Sequence, residues 1–104
     1  MFYPLNNIVM NKNFVLSEKL RLFLSLGSSH KFLRLGNRFP VSIRKRYTFS
    51  QTIVIYQEFD YGFFTAREIR YLMLLADTLD LDLAVSVENG LPVVEITDYN
   101  VNGR

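Results

Sequence analysis

The chain has 104 residues, 49% of them hydrophobic, and no cysteine, which is ordinary for one globular domain and excludes disulfides and thiolate metal sites. Its net charge of +2 is unevenly distributed: residues 1–50 hold nine of the twelve Lys and Arg, and residues 51–104 hold nine of the ten Asp and Glu. No apolar run approaches the ~18 residues of a membrane span, and the uncharged N-terminus lacks the basic start of a secretory signal. We therefore expect one cytoplasmic domain over 1–104, with no membrane as partner.

The first predicted helix covers about residues 14–26, after an irregular N-terminal arm over 1–12 that carries Pro4 and three Asn. Its large apolar residues recur at helical spacing and form one stripe, which would face a core. The stripe consists of Leu16, Leu20, Phe23 and Leu24. Gly27 follows, and we expect it to end the helix in the left-handed conformation that glycine adopts without strain.

A β-hairpin is predicted next, with strands over about 30–35 and 38–49. Residues 36–37 (Gly-Asn) suit the connecting two-residue turn, because glycine supplies the positive φ. Apolar and polar residues alternate along the second strand, so one face would be buried and the other would carry its cations. Pro40 cannot donate a ladder hydrogen bond, which indicates a position at the sheet edge, at least where this strand starts.

Residues 50–51 (Ser-Gln) are predicted to turn the chain, because an unbroken strand through them would be too long. The run 52–59 is apolar on both faces, as in a central strand that is covered on both sides. A helix follows over 65–78, where Thr65 and Glu68 have the spacing of a capping box. This helix is apolar almost all round, which favours deep burial or contact with a partner.

The last predicted element is a second hairpin. Residues 81–88 alternate between apolar and polar side chains, Asn-Gly at 89–90 matches a type I′ turn, and 91–97 return. A two-residue turn at this place sets Val85 opposite Val94, so both strands would bury the same face.

The predicted elements follow in the order α-β-β-β-α-β-β. We predict an α+β fold in which a small antiparallel sheet carries two helices packed on one face. Residues 99–104 are expected to form a polar C-terminal tail, and no repeat or linker divides the chain.

Residues suited to catalysis are sparse, and we predict a protein that is not an enzyme and uses no cofactor or metal. His30 is the one histidine, and a general base needs a positioned partner. No glycine-rich phosphate loop is present. The acidic residues near the last hairpin are typical of a solvated edge, where charge discourages aggregation. These are Asp77, Asp80, Asp82 and Glu95.

The basic half of the chain favours nucleic acid as the partner. No acidic residue lies between Glu18 and Glu58, and strand alternation would gather several cations on one face of the first hairpin. Arginine, lysine and hydroxyl groups on one surface suit phosphate oxygens, so we predict a nucleic-acid-binding accessory or regulatory factor. The candidate residues are Lys31, Arg38, Arg44, Lys45 and Arg46, of which Lys45 alternates onto the apolar side.

A protein partner is the alternative. The helix over 65–78 has more apolar surface than one side of a two-layer domain can bury, and it could hold a homodimer together. In this hypothesis the chain is a protein–protein interaction module, such as an inhibitor, immunity or anti-defence protein, acting through this helix or the acidic hairpin. The candidate interface residues are Tyr71, Leu72, Leu74 and Leu75.

Overall fold

A computed structural model of the chain describes residues 8–9, 16–31, 33–36, 39–47, 50–57 and 64–99, with the backbone alone at 8–9 and 45–47. The elements in chain order are β1 (Ile8–Val9), α1 (Glu18–Ser29), β2 (Val41–Tyr47), β3 (Ser50–Ile55), α2 (Ala66–Thr78), β4 (Asp82–Glu88) and β5 (Leu91–Asp98).

The strands form one sheet in the order β1-β2-β3-β5-β4. The short β1 runs parallel to β2, and the other neighbours are antiparallel. Both helices contribute to one core on one face of this sheet, so the predicted α+β class is confirmed. The sheet residues in this core are Val41, Ile43, Ile53, Ile55, Val94 and Ile96.

The helix α1 starts at the N-cap Ser17, whose hydroxyl accepts a hydrogen bond from the amide of Leu20 at 3.2 Å. All four residues of the predicted stripe are buried, which confirms the face that α1 turns to the core. The prediction that Gly27 ends the helix is wrong, because α1 continues to Ser29. Gly27 is buried inside the helix, where the amide of Leu35 donates to its carbonyl at 3.2 Å.

The strand predicted over 30–35 is reduced to an isolated bridge between Leu35 and Phe39. The chain instead curls back after α1, since the amide of Arg34 donates to the carbonyl of His30 and Arg34 has a φ of 48°. Gly36 has the positive φ expected of it, at 80°. The second residue of the predicted turn, Asn37, lies outside the described residues, as does Arg38 at the predicted start of the next strand.

The predicted central strand is confirmed: β3 lies in the middle of the sheet, and all six of its residues are buried. The turn predicted at 50–51 is wrong, because β3 already begins at Ser50 and Gln51 pairs with Asp98. A register shift places a bulge in β2 between Arg44 and Tyr47. Among the described residues, β1 pairs with the edge of β2 at Val41 and Ser42. β1 belongs to the arm over 1–12, which was expected to be irregular.

Two buried glutamines, Gln51 in β3 and Gln57 just after it, bond to the backbone where the two helices begin. The Oε1 of Gln51 accepts from the amide of Ser17 at 2.7 Å, where α1 begins. Gln57 accepts from the amide of Phe64, just before α2, and donates to the carbonyl of Pro92 at 2.8 Å. Both glutamine side chains are almost fully buried, and these bonds give their amide groups partners within the protein.

We expect Gln57→Leu to lower the free energy of unfolding by ~1–3 kcal/mol, since a leucine of similar size makes neither of the two hydrogen bonds to Phe64 and Pro92. Hydrogen exchange should then accelerate at the amide of Phe64. The amide of Ser17, which Gln51 holds, is the internal control and should keep its rate. Equal acceleration at both amides would contradict a local role for Gln57.

The capping box of α2 is confirmed, because Thr65 and Glu68 exchange both hydrogen bonds, at 2.7 and 3.2 Å. The type I′ turn is confirmed by φ values of 53° at Asn89 and 79° at Gly90.

The predicted register of the last hairpin is also confirmed, with Val85 opposite Val94. The expectation that both strands bury this face holds for Val94, whereas Val85 is 61% exposed. The exposed fraction of the apolar side chains on this face of β4 increases along the strand, from the half-buried Leu83 to Val87 at 69%. Neither described helix has the length and hydropathy needed to cross a membrane.

Candidate functional site

An apolar depression lies between the end of α1 and the outer side of α2. It has a volume of about 410 Å³. Its apolar lining comes from both helices and from the turn that follows α1, so it depends on how the two helices pack. The lining includes Leu26, Leu33, Tyr71, Leu74 and Leu75.

A second depression of about 660 Å³ continues along α2. Tyr71 and Leu74 line both depressions, and Arg67 and Arg70 line the second. We call the two together the helix groove. Its apolar floor is thus bordered by two exposed guanidinium groups, a combination that suits an amphipathic and acidic ligand.

His30 joins the two helices at this groove. Its ring lies 4.2 Å from the ring of Tyr71, measured between centroids and at an interplanar angle of 55°. Because His30 is the C-cap of α1, the contact fixes the end of α1 against α2. This is a packing role, and it requires no catalytic chemistry.

Three of the four residues predicted for a protein interface line the helix groove: Tyr71, Leu74 and Leu75. Leu72 does not belong to this surface, because it is completely buried in the core. The reason is the helical repeat, since Leu72 shares the inward side of α2 with Glu68 and Ala76, four residues away in each direction. The candidate interface is therefore corrected by removing Leu72.

Leu26 and Arg70 belong to the helix groove and were not among the predicted site residues. The sequence holds a signal for Leu26, because Leu22 and Leu26 lie four residues apart and outside the predicted stripe. Both are exposed in the structure, at 45% and 44%. An apolar pair off the core stripe of a helix is the pattern that indicates an exposed apolar surface.

The outer edge of β4 is a second exposed surface, which we call the open edge. Among the described residues β4 pairs only with β5, and their register continues without a bulge. Val85 and Val87 project from this strand with 61% and 69% of their surface exposed. Of the usual protections of an edge strand, β4 lacks proline, lysine and bulges, and its charged residues are confined to its two ends, Asp82 and Glu88.

Arg44, a predicted phosphate contact, is engaged within the protein. Its guanidinium makes two hydrogen bonds to the carboxylate of Glu88, at 2.6 and 2.9 Å, and a third to the hydroxyl of Tyr56. The bond with Glu88 raises the pKa of Arg44 above its already high value, so the guanidinium remains charged at any ordinary pH. The pair joins β2 to β4 across the sheet face opposite the helices.

The other predicted phosphate contacts do not form a described surface. Lys31 is exposed in the turn just after α1 and not on a strand. Arg38 lies outside the described residues, as do the side chains of Lys45 and Arg46. Because the bulge in β2 interrupts alternation after Arg44, a common face for Arg44 and Arg46 no longer follows from the sequence. The basic face therefore stays a prediction.

The acidic residues near the last hairpin do not converge. Asp80 lies 3.5 Å from the ammonium of Lys19, in an exposed ion pair. In the part of the chain that the structure describes, no three His, Asp or Glu side chains are grouped so that they could hold a metal ion.

No protein-family model matches the chain, and comparisons with curated proteins and with solved structures give no significant match.

Proposed function

We propose that this protein is a non-enzymatic binding module whose partner is another protein, and that the helix groove receives an amphipathic, acidic segment of that partner. The observation that carries the proposal is an exposed apolar groove between two helices with arginines at its border. An amphipathic helix lying in an apolar groove is a common form of peptide recognition.

The chemistry of the groove supports this choice of ligand. Leu74 is 61% exposed and lies where both depressions meet, so an apolar side chain of a ligand can remove it from water. Arg67 and Arg70 stand beside it on α2, and Lys31 follows the end of α1. Acidic groups on the ligand would find complementary charge there, which adds specificity and speeds association.

A protein partner is favoured over nucleic acid because of Arg44. In the predicted basic face this residue would contact phosphate, yet its guanidinium is already bound to Glu88 and Tyr56. A phosphate would have to displace a bidentate carboxylate, which is among the stronger hydrogen-bond partners of arginine.

The test uses two synthetic 14-residue helical peptides with leucine at spacings of three and four. One has glutamate at the remaining positions and the other lysine. We expect the glutamate peptide to bind at least tenfold more tightly at low salt, and the difference to shrink as salt screens the charges. Arg70→Glu should reduce or reverse the difference in affinity between the two peptides, because it replaces a cation at the border of the groove by an anion.

Val87→Lys is the control, since Val87 is an exposed apolar residue of β4 that lines neither depression, and its replacement should leave peptide binding unchanged. Duplex DNA serves as the competing ligand in 50 mM salt. Equal binding of both peptides, or of neither, would overturn the proposal. Salt-dependent DNA binding that weakens in Lys31→Ala would assign the basic residues to nucleic acid instead.

A further inference from the structure

We infer that the open edge of β4 is completed by a second copy of this chain, paired antiparallel about a two-fold axis at Ser86. Val85 would then lie opposite Val87 of the partner subunit, and the two sheets would become one. This pairing uses a surface other than the helix groove, so it goes beyond the proposed function and does not depend on it.

The backbone of β4 has hydrogen-bonding groups available for this. In a two-residue hairpin the residues flanking the turn, Glu88 and Leu91, form a hydrogen-bonded pair, and such pairs recur at every second residue. The even-numbered residues of β4 therefore bond to β5. The amides and carbonyls of Leu83, Val85 and Val87 point outward along the open edge.

Charge disfavours the register with the two-fold axis at Val85. If the two-fold axis passed through Val85, Asp82 would lie opposite Glu88 of the partner subunit twice, and like charges directly opposite are destabilising. With the axis at Ser86, Glu88 lies opposite Ala84 of the partner subunit. Each Glu88 carboxylate is moreover held by Arg44 of its own chain, so its charge is compensated at the edge.

The register with the two-fold axis at Ser86 also brings the exposed valines of the two copies together. Val85 and Val87 lie on one face of β4, and each would meet the other across the axis, which makes a cluster of four β-branched side chains. Cross-strand pairs of this kind stabilise sheets. They are also the large apolar residues that the hairpin leaves exposed, at 61% and 69%, so the pairing removes apolar surface from water.

A second copy is preferred to a foreign strand because the edge is self-complementary in this register. It places valine opposite valine and serine opposite serine, sets the carboxylate of Glu88 opposite the small Ala84, and brings no like charges directly opposite each other. A basic foreign strand would be the natural match for an edge with free carboxylates. Here the carboxylate nearest the valines, on Glu88, already has a partner in Arg44.

The first experiment measures the mass of the full chain by sedimentation equilibrium at micromolar concentrations. We expect a dimer, and we expect Val85→Pro to be monomeric, because proline removes an outward amide while the bonds to β5 remain. Val87→Lys provides a second disruption in case the proline variant does not fold. Leu74→Lys is the matched control on α2 and should remain dimeric.

The second experiment reads the register and exploits the absence of cysteine. In Ser86→Cys the two thiols would face each other in a non-hydrogen-bonded pair with Cα atoms ~4.5 Å apart, within reach of a disulfide. We expect mild oxidation to cross-link it almost completely. Ala84→Cys, displaced by four residues from its own copy, should not cross-link.

A monomeric parent chain would overturn the inference and leave the helix groove proposal standing. Loss of the dimer in Leu74→Lys but not in Val85→Pro would overturn it too, and would place self-association on α2. Cross-linking of Ala84→Cys instead of Ser86→Cys would refute the register.

Discussion

Replacing Leu72 by lysine should unfold the protein, whereas the same change at Leu74 should leave it folded. Leu72 has no exposed surface, so its ammonium group would have to enter the core without a partner. Burying an unpaired charge and losing the leucine contacts together cost more than ~4 kcal/mol, close to the total stability of a typical domain.

Leu74 lies two residues further along α2 and is 61% exposed, so Leu74→Lys should change the free energy of unfolding by less than ~0.5 kcal/mol. It should nevertheless abolish binding of the glutamate peptide in the helix groove. The two variants share helix, residue type and substitution, which makes burial the only large difference. Chemical denaturation monitored by circular dichroism measures the stability of both variants. Similar midpoints would contradict the division of α2 into a core side and a groove side.

Gly27→Val is the second change for which we expect a large loss. A Cβ atom at this position would lie 2.9 Å from Cγ of Leu35 and closer still to its Cδ1, well inside van der Waals contact. Leu35 is buried and can move only by disturbing the core. Overpacking and backbone shifts should therefore lower the free energy of unfolding by roughly 2–4 kcal/mol, although valine suits a helix better than glycine does.

A double-mutant cycle separates this contact from other effects. Leu35→Ala alone leaves a cavity and should cost ~2–5 kcal/mol. Combined with Gly27→Ala, whose methyl group occupies part of that cavity, the loss should be smaller than the sum by ~1 kcal/mol or more. Strict additivity in denaturation experiments would show that the two side chains do not compete for space. Ser25→Ala, an exposed change in the same helix, is the control and should be nearly neutral.

The candidate site was partly predictable. Tyr71, Leu74 and Leu75 stood out because α2 has too many apolar residues for one buried side, and that count depends on the sequence alone. Assigning Leu72 to the same surface was wrong because the rotation of the helix about its axis was unknown. The groove also needs Leu26 from α1, and which helices become neighbours is decided by packing.

The pairing of Arg44 with Glu88 lay beyond prediction for a related reason. The two residues are 44 apart in the chain. Their side chains meet across one face of the sheet, although β3 and β5 lie between β2 and β4 in the strand order. Strand alternation correctly turned Arg44 away from the core, as it did for Ser42. Whether that face meets water, phosphate or a carboxylate depends on strand order, which short-range patterns do not encode.

The sequence by itself determined the elements whose causes are local: the capping box at Thr65 and Glu68, the type I′ turn at 89–90 with its register, and the buried stripe of α1. Each depends on groups within a few residues of one another, whose geometry is set by the backbone. The tertiary structure alone decided that Gly27 lies inside a helix under Leu35, that Val85 is left exposed, and that Arg44 is bound to Glu88. These outcomes depend on contacts between distant segments, where packing overrides local preference.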